Sequence, residues 1–454
     1  MAVRSFELQN MEKLYQRPGN GLLFLFGNKN CGKEQLLSVF LKNKKTLYYR
    51  AGVADAKKQR ETFLKEAERE LNREFRQGAD YLEAIEYYAA SSGEKKVLVI
   101  DEVQNMAKKD IAVLAAAAEV RDEDGAESPI FIVLCSSSIL WTEKELPKLY
   151  PAVLRKADKI MKIKDYSFLD IVRAFPDYST SQCVEVYGVI GGVPEFVERW
   201  NKRKTIKENI CEHILSPTGF LFGEVERFLG TELRELSVYN TILASLAEGN
   251  NKLNDLYGDT EYSRAKISVY LKNLMEFDVI EKVVSFETGG WENAKKGIYQ
   301  IKNHFVHFWF TFVFPNLSAL YRMEPEEFYE TYIERNLDDY MKVYFTSVCL
   351  EYLELLNMVG KLPIKIEKTG TWVGKQGTID IVAQDAAGIS IVGLCNWTED
   401  FLSESVCMKL EANMKKAKIK ANHIFLFSAK DFEDAVKKKA AEDSRFVLVD
   451  MNEL

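Results

Sequence analysis

The chain has 454 residues, of which 28% are charged and 47% are hydrophobic, as in an ordinary globular protein. This length allows roughly two to four domains with substantial cores. The formal net charge of -7 and an isoelectric point near 5.5 argue against a protein coated in nucleic acid, although they leave room for a local basic face.

The seven cysteines are scattered and include no C-x-x-C pair, a pattern that favours reduced thiols over disulfides or a zinc site. No N-terminal signal pattern and no apolar run long enough to span a bilayer occurs in the sequence. We therefore expect a cytoplasmic protein with no membrane partner.

The first chemical motif follows an apolar run at residues 22–26, which predicts a strand buried on both faces. The run stops at Gly27, and after four residues come Gly32 and Lys33 and then a segment of helical apolar spacing. A strand, a glycine loop and a helix are the context of a phosphate-binding loop (P-loop). The backbone N–H groups of such a loop can surround an anion, while Lys33 neutralises phosphate charge.

One position departs from the P-loop pattern, because Glu34 stands where a Ser or Thr hydroxyl would bind magnesium. At about 4 Å from a phosphate oxygen, its charge would cost roughly 4 kcal/mol at an effective dielectric near 20. Ligation of Mg²⁺ by the carboxylate could offset this cost. We expect ATP or ADP to bind through Gly27, Gly32 and Lys33, with magnesium binding weakened and hydrolysis slow or absent.

A second apolar run at residues 97–100 ends in Asp101 and Glu102. A carboxylate at the carboxyl end of a parallel strand is where a P-loop enzyme holds its magnesium, so Asp101 is the candidate metal residue. Glu102 suits a general base that orients the attacking water. The alternative is that both acids merely begin the next helix, whose first turn favours negative charge.

Strands and helices alternate through the first third of the chain. A short amphipathic helix precedes Gly21, a strand is predicted at 46–49, a long charged helical stretch at 57–90 and a buried strand at 130–135. This order predicts an α/β fold, an open parallel sheet with helices on both faces and ligands at the carboxyl ends of the strands.

Two further features lie after the last of these strands. Ser136 to Ser138 could face the terminal phosphate of a nucleotide, or they could be an ordinary strand-to-loop exit. Arg155 could likewise reach a phosphate or form a surface ion pair. The sequence alone leaves both questions open.

Residues 166–214 are predicted to be helical and to form a lid around the turn before Pro194. Three helices and a hairpin then follow between 238 and 301, which is the plan of a winged helix. Acidic residues offset its basic residues, so the sequence leaves open whether its partner is DNA or another protein. These basic residues are Arg264, Lys266, Lys272, Lys282, Lys295 and Lys296.

The aromatic run from Phe305 to Phe314 predicts a helical core, in which His304 and His307 are structural rather than metal ligands. The segment from about Asp338 predicts a separate α/β domain with a helix and strands at 362–366, 377–383 and 389–394. Asp380 is the one acid inside an otherwise apolar strand of this domain.

Taken together, these motifs resemble an archaeal and bacterial P-loop ATPase family of the AAA+/STAND superfamily, in which the C-terminal region is similar to a restriction endonuclease. The resemblance is carried by the P-loop, by residues 99–104, 134–138 and 187–194, and by Tyr299 through Pro315. It implies ATP at Gly27, Gly32 and Lys33, magnesium and water at Asp101 and Glu102, and a DNA-associated role.

The chain also departs from this family. Beside Glu34, the nuclease-like part has Thr346, Leu394 and Asn396 where the family pattern has a helix Glu and a Glu-x-Lys pair, so that only Asp380 remains. We expect a P-loop ATPase core at 1–165, a helical lid at 166–230, a winged helix with an aromatic helical linker at 231–335 and an inactive nuclease-like domain at 336–454.

The function that these observations favour is a nucleotide-binding switch. The alternatives are an active ATP-regulated, metal-dependent DNase, and a scaffold that binds protein partners without nucleotide.

Overall fold

The structure is a computed structural model that describes residues 4–91, 93–122, 129–286, 297–374 and 377–453. The chain forms two compact units, one of Met1–Asp165 with Val193–Glu195, and one of Tyr166–Gly192 with Phe196–Leu454. Among the described residues, no helix combines the length and the apolar character that crossing a bilayer requires.

The first unit alternates strands and helices. Its strands are β1 (Gly21–Phe26), β2 (Thr46–Arg50), β3 (Lys96–Asp101), β4 (Ile130–Ser136) and β5 (Lys159–Lys162). Its helices are α1 (Ser5–Tyr15), α2 (Lys33–Phe40), α3 (Ala56–Leu71), α4 (Tyr81–Ala90), α5 (Gln104–Ala107), α6 (Ala112–Asp122), α7 (Leu146–Leu149) and α8 (Pro151–Lys156), with a π-helical turn at Trp141–Glu145 before α7.

The five strands form one sheet in the order β2-β3-β4-β1-β5, and every neighbouring pair is parallel. Every residue of β1, β3 and β4 is buried, because successive side chains enter cores on opposite faces of the sheet. Phe24 packs in the core that includes α4 and α6, whereas Leu25 packs in the core that includes α1 and α2. The α/β fold class predicted from the sequence is confirmed.

The charged stretch predicted as helical from 57 to 90 is two helices, α3 and α4. Asn72 ends α3 in the left-handed region, with a φ of 48°. Asp80 then starts α4, because its carboxylate accepts a hydrogen bond from the Glu83 N–H at 2.9 Å.

The second unit begins with helices. These are α9 (Phe168–Ala174), α10 (Thr180–Ile190), α11 (Pro194–Arg199, whose first two residues belong to the first unit), α12 (Ile206–Ile210), α13 (Glu224–Glu232), α14 (Leu236–Ala247), α15 (Leu253–Thr260) and α16 (Arg264–Glu276). The antiparallel strands β6 (Ile280–Val284) and β7 (Gly297–Ile301) follow, and then α17 (His304–Phe308), α18 (Leu317–Leu320), α19 (Pro325–Phe328) and α20 (Leu337–Met358). Short π-helical turns lie at Cys211–Leu215, Trp309–Val313 and Tyr329–Ile333, and short 3-10 turns at Phe314–Asn316 and Glu334–Asn336.

Three helices and an antiparallel strand pair therefore occur in the predicted order between 236 and 301. Ser263 caps α16 by accepting a hydrogen bond from the Lys266 N–H. The tip of the predicted hairpin, with Lys295 and Lys296, lies outside the described residues.

The chain ends in a mixed sheet of β8 (Lys368–Gly374), β9 (Gly377–Gln384), β10 (Ser390–Asn396), β12 (His423–Ser428) and β14 (Phe446–Asp450), in the order β14-β12-β10-β9-β8. The pair β11 (Phe401–Leu402) and β13 (Asp431–Phe432), the helices α21 (Glu404–Ala417) and α22 (Asp434–Glu442), and a 3-10 turn at Met451–Glu453 complete this region. The first strand lies at 368–374, so its predicted position at 362–366 was wrong.

A buried polar cluster joins α10, α17 and α20. His304 donates from Nδ1 to the Tyr187 carbonyl at 2.6 Å, and His307 Nδ1 lies 2.6 Å from the Tyr344 hydroxyl. Burial lowers the pKa of His304 and of His307 to about 4. Both imidazoles are thus neutral core groups with hydrogen-bond partners. The structural role predicted for them accounts for this geometry.

We expect this cluster to lose stability in acid. The folded-state pKa of each histidine lies below the ordinary histidine value of 6.5, so the folded protein binds fewer protons than the unfolded chain. The stabilisation is full above pH 6.5 and is lost as the pH falls towards 4, by about 2 kcal/mol per histidine at pH 5. Urea unfolding at pH 7 and pH 5 should therefore show the deficit of His307→Gln, relative to the native chain, shrinking by about that amount at pH 5.

Phe308→Leu is the matched control, because it perturbs the same helix without removing a titrating group, and its deficit should be the same at both pH values. The comparison between variants is needed because burial also raises the pKa of Glu185 to about 7. That carboxyl favours the folded state below its unfolded pKa, a contribution lost as the pH rises through 7, which opposes the histidines. A deficit of His307→Gln that does not change with pH would contradict the prediction.

Candidate functional site

The glycine loop between β1 and α2 is held against the backbone of the sheet. The Gly27 N–H donates to the Ser136 carbonyl at 3.2 Å. A Cβ atom at Gly27 would lie 2.5 Å from the Ile163 carbonyl oxygen and 2.9 Å from Cys31 Sγ. Only glycine therefore fits this approach.

The loop then turns through two left-handed residues, Asn30 with a φ of 68° and Gly32 with a φ of 83°. Gly32 is the N-cap residue of α2, and no side chain caps this helix end. The first N–H groups of α2 consequently have no intrahelical acceptor and are suited to bind an anion.

Lys33 is buried, with 7% of its surface exposed. Its ammonium donates to the carbonyl oxygens of Gly27 at 2.7 Å and Asn28 at 2.8 Å. The lysine therefore lies folded over the loop, within reach of whatever the loop binds.

Asp101 stands at the carboxyl end of β3, where both of its oxygens accept hydrogen bonds. Oδ2 accepts from the Tyr48 hydroxyl at 2.9 Å, and Oδ1 accepts from the Glu102 N–H at 3.0 Å. Burial raises the pKa of Asp101, an effect that the hydrogen bond from Tyr48 opposes.

Glu102 follows in the left-handed region with a φ of 55°, a conformation that costs a non-glycine residue on the order of 1 kcal/mol. Its Oε2 atom accepts from the Ser137 hydroxyl at 2.5 Å and from the Gln104 side-chain amide. Both donors therefore bind the same oxygen of the Glu102 carboxylate. Strained, anchored carboxylates of this kind are typical of functional sites.

Arg50, which the sequence reasoning missed, lies at the end of β2. Its Nη1 atom is 2.6 Å from Glu34 Oε1, and its Nε atom is 3.7 Å from Asp101 Oδ2. Arg50 pairs with Asp101 in the register of β2 and β3. The sequence carries no local signal for this contact, because it depends on the pairing of β2 with β3.

These groups line one cleft at the carboxyl edge of the parallel sheet, with about 440 Å³ of empty space that is partly open to solvent. The structure thus brings together the predicted residues Gly32, Lys33, Glu34, Asp101 and Glu102. Gly27, the remaining predicted residue, is not among those that line the cleft and instead lies against the backbone of Ile163. The other residues that line the cleft are Lys29, Asn30, Gln35, Arg50 and Glu195.

Two known protein families match different parts of this chain. Residues 2–199 match a family described as an ATPase domain predominantly from Archaea. This match indicates an ATPase domain in the N-terminal part of the chain. Residues 309–418 match a second family, described as archaeal and bacterial proteins of unknown function.

An uncharacterized protein of Methanocaldococcus jannaschii is 28% identical over 388 residues, which cover 84% of this chain and 83% of that protein. Among solved structures, a Walker-type ATPase of Pyrococcus abyssi is similar at 16% identity with a TM-score of 0.47, covering 68% of this chain and 96% of that one. The ORC2 protein of Aeropyrum pernix, solved in ADPNP–ADP complexes, is similar at 12% identity with a TM-score of 0.44, covering 70% and 94%.

The sequence left open whether Ser136 to Ser138 and Arg155 face the nucleotide, and the structure places them at different distances from the cleft residues. Ser137 contacts Glu102, whereas the Ser136 hydroxyl bonds to the backbone of Ser138. Arg155 is exposed in α8 and is not among the residues that line the cleft.

The side chains of the ATPase domain fit a magnesium ion only in part. Asp101 can accept a hydrogen bond from a metal-bound water, but Glu34 is engaged by Arg50. Within the described ranges, no group of three or more His, Cys, Asp or Glu side chains is placed to hold a metal.

In the C-terminal region, Asp380 lies in β9 and is bound to the backbone. Its Oδ2 atom accepts from the Cys395 N–H at 2.9 Å, and burial raises the pKa of its carboxyl group. The Thr346 hydroxyl donates to a carbonyl within α20, and the Asn396 side-chain amide donates to the Glu399 carbonyl and to Ser428 Oγ. These contacts do not bring several carboxylates together at one point where they could hold a metal ion.

The basic residues of α16 also have partners within the same region. Arg264 donates to Asn254 and stacks on Tyr257, and Lys266 lies over the ring of Tyr262. Lys272 pairs loosely with Glu276 at 3.9 Å.

We expect Gly27→Ala to destabilise the ATPase domain by about 1–3 kcal/mol, because the added methyl group meets a backbone carbonyl that cannot move without breaking the β1–β5 pairing. Urea unfolding at neutral pH measures the effect. Gly52→Ala is the control, since nothing lies within 4 Å of a Cβ atom there. Equal stability of the two variants would show that the loop has more freedom than this contact implies.

Proposed function

We propose that this protein is a nucleotide-binding switch. In this proposal the ATPase core (1–165), which is followed in the chain by a helical lid (166–230), binds ATP or ADP and hydrolyses ATP slowly or not at all. A winged-helix region (231–335) and an inactive nuclease-like domain (336–454) transmit the nucleotide state to DNA or to a protein partner.

The observation that carries the proposal is the cleft at the end of the parallel sheet. It combines a helix N-terminus without a side-chain cap, the buried ammonium of Lys33 and the carboxylates of Asp101 and Glu102. Open N–H groups and a lysine favour phosphate, and carboxylates opposite them suit metal-bound or attacking water. This combination supports a nucleoside phosphate over an uncharged ligand.

The expectation of slow hydrolysis rests on Glu34. In a P-loop enzyme a hydroxyl at this position binds magnesium, which neutralises charge that develops on the transferred phosphoryl group. Glu34 offers a charged carboxylate instead, and this carboxylate is paired with Arg50. The N–H groups at the start of α2 and the Lys33 ammonium do not depend on magnesium, so binding is affected less than turnover.

We expect Lys33→Ala to weaken the binding of ADP and of ATP on the order of tenfold to a hundredfold. The reason is that the variant loses charge-assisted hydrogen bonds from the ammonium to phosphate oxygens. Isothermal titration calorimetry on the full chain measures the dissociation constant. Lys42→Ala is the control, because Lys42 is an exposed lysine just beyond α2.

The same titration separates the proposed switch from the scaffold alternative. If neither nucleotide binds the native chain, the switch is excluded and the scaffold remains. If Lys33→Ala binds as tightly as the native chain, nucleotide binds elsewhere and the cleft has another use.

For the C-terminal domain we expect no DNA cleavage. Phosphodiester hydrolysis needs several carboxylates around a metal ion, whereas Asp380 is bound to the Cys395 backbone with Leu394 and Asn396 beside it. Supercoiled plasmid incubated with the full chain, with Mg²⁺ or Mn²⁺ and with or without ATP, should stay intact.

Cleavage that Asp380→Asn abolishes would establish the DNase alternative instead. Asp385→Asn, in the turn after β9, is the control acid in that case. Cleavage that both variants retain would point to a contaminating nuclease.

A further inference from the structure

We propose that Arg50 takes the place of the magnesium ion, so that the cleft binds nucleotide phosphates without a metal. This inference rests on the proposed nucleotide binding and assigns the charge that makes such binding possible in a cleft rich in acid. Arg50 would thereby determine which form of the nucleotide, free or complexed with magnesium, the protein prefers.

The position of the guanidinium is the first argument. In P-loop enzymes the metal lies between the hydroxyl that follows the P-loop lysine and a carboxylate at the carboxyl end of another strand of the sheet. In this chain those positions are Glu34 and Asp101. Arg50 bridges them, at 2.6 Å from Glu34 Oε1 and 3.7 Å from Asp101 Oδ2.

The backbone fixes Arg50 at this position. Arg50 is the last residue of β2 and is paired in register with Asp101, and the next residue, Ala51, donates its N–H to the Asp101 carbonyl at 2.8 Å. Tyr48 precedes Arg50 by two residues on the same face of the strand, and its hydroxyl donates to the same Asp101 oxygen. The strand therefore presents a hydrogen-bond donor, the Tyr48 hydroxyl, and a positive charge, the Arg50 guanidinium, to Asp101 at once.

A metal ion would have to compete with these groups. Each Asp101 oxygen already accepts one hydrogen bond, from Tyr48 or from the Glu102 N–H, and Glu34 is already paired with Arg50. Magnesium gives up its water reluctantly and tolerates misplaced ligands poorly. A guanidinium supplied by the chain needs no such exchange.

The charge balance points the same way. Four carboxylates line the cleft, those of Glu34, Asp101, Glu102 and Glu195, against three cations, Lys29, Lys33 and Arg50. Arg50 is the cation that lies against both Glu34 and Asp101, so it offsets acid charge where a bound metal would otherwise do so. Its guanidinium carries five N–H donors, and the contacts described for it use Nη1 and Nε, so donors remain for phosphate oxygens.

The test is a calorimetric titration of the full chain with ADP, once in EDTA and once in excess MgCl₂. We expect the native dissociation constant to differ less than about threefold between the two conditions. Arg50→Ala should weaken binding in EDTA on the order of tenfold to a hundredfold and recover part of this loss in MgCl₂. Arg50→Lys keeps the charge, so its dissociation constant in EDTA should lie between those of the native chain and of Arg50→Ala.

Arg69→Ala is the matched control, because this exposed arginine pairs with Glu66 on α3 and is not among the residues that line the cleft. It should bind ADP like the native chain in both conditions. Since Arg50 is half-exposed, Arg50→Lys also provides a folded variant if Arg50→Ala is unstable.

The two proposals fail in different ways. Native binding that requires MgCl₂, or that Arg50→Ala leaves unchanged in EDTA, overturns the role of Arg50 and leaves the nucleotide site standing. No ADP binding in either condition overturns both. Binding that is indifferent to magnesium in the native chain and dependent on it in Arg50→Ala supports the assignment.

Discussion

The pairing of β1 with β4 and β5 is the constraint on which the candidate site depends. It holds Gly27 so close to the Ile163 carbonyl that no side chain fits, and the Gly27 N–H donates to the end of β4. The chain must therefore leave the sheet at this residue and turn through Asn30 and Gly32 before α2 can start. A helix N-terminus and Lys33 are thereby placed at the same edge of the sheet as Asp101.

That edge concentrates charge, and the surrounding residues determine how the charge is balanced. Asp101 is buried and held by Tyr48 and a backbone N–H, while Glu102 is held by Ser137 and Gln104. Glu34 is more exposed and has Arg50 as its partner. An exposed ion pair of this kind contributes little to stability, which is consistent with a role in ligand binding rather than in folding.

The sequence predicted the parts of the fold that depend on local pattern. The apolar runs of β1, β3 and β4 could only be buried strands, and the terminal residues of β3 identified Asp101 and Glu102. It placed the strand before β9 wrongly, because 362–366 is more apolar than the true strand β8, in which every residue is only partly buried. It missed Arg50 because that contact depends on the register of β2 against β3, which no local pattern encodes.

Asp380 completes the strand pairing at one end of β9. The ladder between β9 and β10 runs from Gln384↔Ser390 to Ile381↔Gly393 and ends there. Beyond that point the Cys395 N–H has no backbone acceptor on β9, and the Asp380 carboxylate provides one. A buried N–H without a partner costs about 1–3 kcal/mol, so the carboxylate has a structural use whether or not a metal ever binds. The lone acid in β9 is thus explained by the end of a strand pairing, and it needs no catalytic partners to account for its presence.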